Sequence, residues 1–105
     1  MSQQLSEAKE IVEKIIKQIE SGNHPSKESQ LDQLRNIDKL IVLNQNKIWL
    51  RTRSGKPMAE KLQSAAADAL NRVGDTSETA ALIDTLEGIA KEIDEESQRR
   101  SMVVT

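Results

Sequence analysis

Cysteine is absent from this 105-residue chain, and disulfides, thiol nucleophiles and thiolate metal sites are excluded with it. Phe and Tyr are missing too, which leaves Trp49 as the only large aromatic. Stacking of nucleic-acid bases on Phe or Tyr is therefore ruled out. The single histidine, His24, has no second histidine or cysteine with which to build a metal site; between Asn23 and Pro25 it reads as part of a solvated turn. No apolar run exceeds the four residues of Leu40 to Leu43, too short to span a bilayer. Met1 to Glu20 carries charges every few residues and has no continuous apolar core of the signal-peptide kind. These absences together lead to the expectation of a soluble, cytoplasmic protein with no membrane partner, no cofactor and no metal.

What remains is modest. The length fits one domain, and 36% hydrophobic residues is low for a globular chain yet above the level of disorder. Leu, Ile, Val, Met and Ala must supply the core. A core so thin makes dimerisation or a larger partner a natural source of further stability.

The apolar residues fall at helical spacing. Leu5, Ala8, Val12, Ile15 and Ile19 alternate by three and four, and predict a helix over about 3–20. Glu10–Lys14 and Glu13–Lys17 have the favourable order on its outer face. Gly22 and Pro25 close that helix, and Ser26 is placed to cap a second, whose stripe is Leu31, Leu34, Ile37 and Ile41. Ser54-Gly55-Lys56-Pro57 is the firmest break, with Pro57 suited to the first turn of a third helix. Met58, Leu62, Ala65, Ala69 and Leu70 or Val73 are its expected buried side. After Gly74, with Asp75, Thr76 or Ser77 as cap, a fourth helix carries Thr79, Ile83, Leu86, Ala90, Ile93 and Ser97 on one line. The expected architecture is all-α, a three- or four-helix antiparallel bundle over residues 1–97. Residues 98–105 are expected to form a flexible C-terminal tail.

Residues 40–52 admit two readings. Leu34, Ile41 and Ile48 recur at sevens, as in a continued helix. Leu40–Leu43 and Ile48–Thr52 around Asn44-Gln45-Asn46-Lys47 also have the form of a short β-hairpin. The isolated hairpin lacks a third strand to support it.

Chemistry is sparse. The pairs Glu7/Glu10, Asp84/Glu87 and Glu92/Glu95 sit three apart, but carboxylate metal sites in bundles need inward pairs from several helices and a Glu-x-x-His companion. The Gly55-Lys56 pair lacks the glycine-rich loop and hydroxyl of a phosphate-binding P-loop. Charge is more informative. Lys47, Arg51, Arg53, Lys56 and Lys61 face only Glu60 in their window, whereas eight acids between Asp75 and Glu96 face only Lys91. A net charge of -2 thus hides a bipolar molecule.

Seven of the eleven residues from Leu40 to Leu50 are apolar, more than one bundle stripe needs. Beside them Trp49 and the arginines have the composition of an interface anchor. The functional expectation is a non-enzymatic protein-protein interaction module, acting as adaptor, regulator or small assembly subunit. Its docking residues are expected to be Leu43, Ile48, Trp49, Leu50, Arg51 and Arg53, with a homodimer as one form of partnership. The competing reading is a nucleic-acid-binding accessory protein that places Lys47, Arg51, Arg53, Lys56 and Lys61 against phosphates.

Overall fold

In the computed structural model, residues 3–22, 25–73 and 76–103 are described. Four helices account for nearly all of them: α1 (Gln3–Ser21), α2 (Lys27–Asn44), α3 (Lys56–Arg72) and α4 (Thr76–Val103), with a 3₁₀ turn at Ile48–Arg51 between α2 and α3. The fold is a compact four-helix, all-α bundle, and no strand occurs among the described residues. No helix there is long and apolar enough to cross a membrane.

Three stripes lie where the spacing puts them. Leu5, Ala8, Val12, Ile15 and Ile19 of α1 are buried, as are Leu31, Leu34, Ile37 and Ile41 of α2. The α4 line Ile83, Leu86, Ala90 and Ile93 is buried as well, and Thr79 and Ser97 extend it at both ends. On α3 the expected Leu62 and Ala69 are buried, but Ala59 and Ala66 take the places expected of Met58 and Ala65. Ala59, Leu62, Ala66 and Ala69 are buried, while Met58, Ala65, Leu70 and Val73 sit at the margin. Alanine faces let two backbones approach closely, and α1, the most extensive neighbour of α3, also buries an alanine, Ala8.

Helix pairing is set by polar contacts between the stripes. Gln33 donates to Asp84 at 2.7 Å, Asn36 to Glu87 at 3.5 Å and Asn44 to Asp94 at 3.1 Å. Both residue numbers rise together, so α2 and α4 are parallel neighbours. Gln63 donates to Glu7, which joins the first half of α3 to the first half of α1. Gln45 reaches Ser6 and Lys9 faces Asp38, which sets α1 antiparallel to α2. Consecutive helices therefore alternate in direction, but α2 and α3 stand on a diagonal without substantial contact. Residues 45–55 must cross that end of the bundle to join them.

The crossover explains the ambiguous stretch. Leu40–Leu43 belongs to α2, which ends where the buried Asn44 side chain donates back to the Leu40 carbonyl at 2.9 Å. A short polar side chain competing for backbone groups favours such an ending. Ile48–Arg51 then coils into the 3₁₀ turn, which drops Leu50 into the open end of the core at 1% exposure. The hairpin alternative is thereby corrected, and so is the continuous helix. Burying Leu50 in the core removes more apolar surface from water than an unsupported strand pair can.

Other local expectations have mixed outcomes. Gly22 closes α1 through its N–H to Ile19 at 3.0 Å. Ser26 holds the capping position, yet its hydroxyl makes no cap bond. The α1 ion pair is Lys9–Glu13 rather than Glu10–Lys14 or Glu13–Lys17. Helix α4 continues beyond Ser97 to Val103, through most of the segment expected as a tail. Asn23, His24, Gly74 and Asp75 lie outside the described residues. The overall extents are 48 × 20 × 18 Å, and the 28 residues of α4, about 42 Å at helical rise, set the long axis.

Candidate functional site

The crossover end gathers most of the residues singled out by sequence. Ile48 is 75% exposed and Leu43 57%, joined by Val42 at 46%. These three are the only exposed large apolar side chains among the described residues. Val42 was not singled out in sequence, although it belongs to the stretch whose apolar residues exceed one stripe. Leu50, expected in the same surface, packs in the core instead.

Trp49 is half-buried and fastened to α4. Its indole N–H donates to the Ser97 hydroxyl at 2.7 Å, and the Arg100 guanidinium lies 4.8 Å from the ring centroid, within cation–π range. On its other side is Gly55. A Cβ there would lie 2.0 Å from the Trp49 carbonyl oxygen and 2.6 Å from the ring, so only glycine permits the approach. Thr52 ties the same loop together, donating from its hydroxyl to the Trp49 carbonyl at 2.6 Å. Sequence adjacency suggested Arg51 as the companion of Trp49. The structure supplies Arg100, and only the heptad line leading to Ser97 hinted at that neighbourhood.

Arg100 is itself held by Glu96, at 3.1 Å from its Nε, and Arg99 Nη2 reaches the same carboxylate at 2.7 Å. Those donors, Arg99 first, hold the Glu96 carboxyl below the usual range. The basic side chains of the crossover are placed differently. Lys47, Arg51, Arg53, Lys56 and Lys61 are all exposed. None makes a side-chain ion pair or hydrogen bond among the described residues.

Along α4 the acids are mostly engaged. Asp84, Glu87 and Asp94 accept from α2 amides, and Glu96 from the two arginines. Glu92 and Glu95 are left exposed. Glu7 and Glu10 lie on α1, diagonal to Asp84 and Glu87 on α4, so the four carboxylates do not converge. No group of three His, Cys, Asp or Glu positioned to hold a metal occurs among the described residues.

Glu96 in turn raises Arg99, and two groups elsewhere carry perturbed titrations. Asp38 is pushed up by burial, with Lys9 opposing at 4.0 Å. Lys9 is raised, chiefly by its hydrogen bond with Glu13. Both belong to the α1–α2 contact, away from the crossover. In comparisons with known proteins, no family model, no curated protein and no solved structure matches this chain.

Proposed function

We propose that this chain is a non-enzymatic protein-protein interaction module, an adaptor, regulator or small assembly subunit, which docks through its crossover end. One observation carries the reading: among the described side chains Val42, Leu43 and Ile48 are the exposed large apolar residues, and the same stretch of chain carries cations with no partner among the described residues. Fully burying a side chain such as Ile or Leu contributes about 1.5–3 kcal/mol. Two of them at one end are enough to anchor a partner once flanking charge sets the orientation. Trp49 supports this surface from beneath, with the ring wedged between Gly55, Ser97 and Arg100. Its role is to hold Ile48 and Arg51 in place.

The test is a quantitative pull-down with the wild-type chain and a Leu43→Ser/Ile48→Ser variant. Both residues are exposed, so the variant keeps its helical circular dichroism and Trp49 emission while partner capture falls at least about tenfold. Equal capture by both chains would defeat the proposal. Sedimentation equilibrium of the chain alone tests the homodimer form separately.

The second reading is nucleic-acid binding by Lys47, Arg51, Arg53, Lys56 and Lys61, supported by their lack of partners among the described residues. Affinity for any duplex would then fall with a slope of roughly 0.9 in log affinity per contacted phosphate against log salt. Absence of binding at low salt removes it.

A further inference from the structure

We infer that the partner of the crossover end is an acidic protein segment that sets carboxylates around an apolar anchor, most simply an amphipathic helix with an acidic face. This rests on the docking reading above and names the chemistry of the partner. Charge complementarity is the first ground. Lys47, Arg51, Arg53 and Lys56 flank Ile48 within ten residues of chain, and none of them has an ion-pair partner among the described residues. Like charges held this densely repel one another until a counter-charge arrives.

The second ground is the mixed character of the surface, which discriminates among anionic partners. A phosphate backbone satisfies the cations but offers no apolar cover for Ile48 at 75% and Leu43 at 57% exposure. A second copy of this chain fails on the other count. Its unengaged acids on α4 are Glu92 and Glu95, and between residues 78 and 100, where the side chains of that helix are described, none is a large exposed apolar one. Pairing two crossover ends would cover the apolar residues but would oppose cation to cation. An acidic amphipathic segment meets both requirements, with its apolar stripe on Leu43 and Ile48 and its carboxylates on the surrounding cations.

The two halves of such a contact separate kinetically. Charge steers encounter and governs the association rate, whereas the desolvated anchor governs dissociation. The probes are a labelled synthetic helical peptide with glutamates opposite a leucine stripe, its Glu→Lys counterpart, its Leu→Ser counterpart, a DNA duplex and phosphatidylserine vesicles. With the full chain, the acidic amphipathic peptide should bind, its association rate falling about tenfold between low and moderate salt. An Arg51→Ala/Arg53→Ala variant should lose that salt dependence, and Ile48→Ser should speed dissociation instead.

Equal binding of the lysine counterpart overturns this inference and leaves the docking proposal standing. Equal binding of the serine counterpart or the duplex overturns both, in favour of a general polyanion site. Preference for the vesicles moves the surface to lipid and also overturns it. Failure of the acidic amphipathic peptide to bind even at low salt rejects the inference outright.

Discussion

Along α4, Asp84, Glu87 and Asp94 accept hydrogen bonds from Gln33, Asn36 and Asn44 of α2, and Glu96 accepts from Arg99 and Arg100. By contrast Lys47, Arg51, Arg53, Lys56 and Lys61 face solvent without partners among the described residues. In sequence the two regions look like mirror images, each a dense run of one sign. In the fold, the acidic run aligns two helices, and the basic run stays exposed. Charge density alone does not distinguish a structural seam from an open surface. The presence or absence of internal partners does.

The seam is broken most severely at its buried end. Asn44 is 1% exposed and lies 3.1 Å from an Asp94 oxygen, so Asn44→Asp places a second carboxylate against the first. The expected loss is about 3 kcal/mol near neutral pH, since the new carboxylate is buried against a like charge and Asp94 keeps only its donor from Gln98. Protonation in acid relieves that loss, and urea denaturation at two pH values measures it. Gly55→Ala comes next. Its Cβ would overlap the Trp49 carbonyl, and the loop must shift at a cost of about 2 kcal/mol. A red shift of Trp49 emission should accompany that loss.

Acid titration sharpens the comparison from another side. The depressed Glu96 carboxyl contributes an interaction present above its ordinary value of 4.5 and lost as pH falls through its lower folded value. Trp49 emission should therefore change in that acid range, as Arg100 loses its anchor. Asp38 has the opposite sign. Its raised folded pKa means that the ionised form costs stability, and the cost is relieved as pH falls toward 3.8. The Trp49 signal and global stability should then part company in acid, the first weakening while the Asp38 contribution improves. Coincident acid transitions in emission and helical circular dichroism would contradict the separation. Smaller still is Gln33→Ala, which removes an exposed amide from the seam and should cost about 0.5–1 kcal/mol in urea denaturation.

Most of the fold was legible because α1, α2 and α4 each carry one unambiguous stripe. The α3 face was not, since Ala65, Ala66 and Ala67 offer three successive directions of equal apolar character, and the approach of α1 decides among them. The diagonal placement of α2 and α3 was also hidden. A stripe shows that a helix has an inner face but not which neighbour it meets. At the candidate surface, the exposure of Ile48, Leu43 and the cations agrees with their local excess over what a stripe requires. The burial of Leu50 and the pairing of Trp49 with Ser97, 48 residues away, depend on the crossover and had no local signal.

The measurement that bears most directly on the division between seam and surface is urea denaturation of an Arg51→Ala/Arg53→Ala/Lys56→Ala variant, followed by Trp49 emission. If these cations have no internal duty, its stability stays within about 0.5 kcal/mol of the parent chain, with unchanged native emission. A loss well beyond about 1 kcal/mol would show that the fold itself depends on them, and the claim that they are held in reserve for a partner would fail.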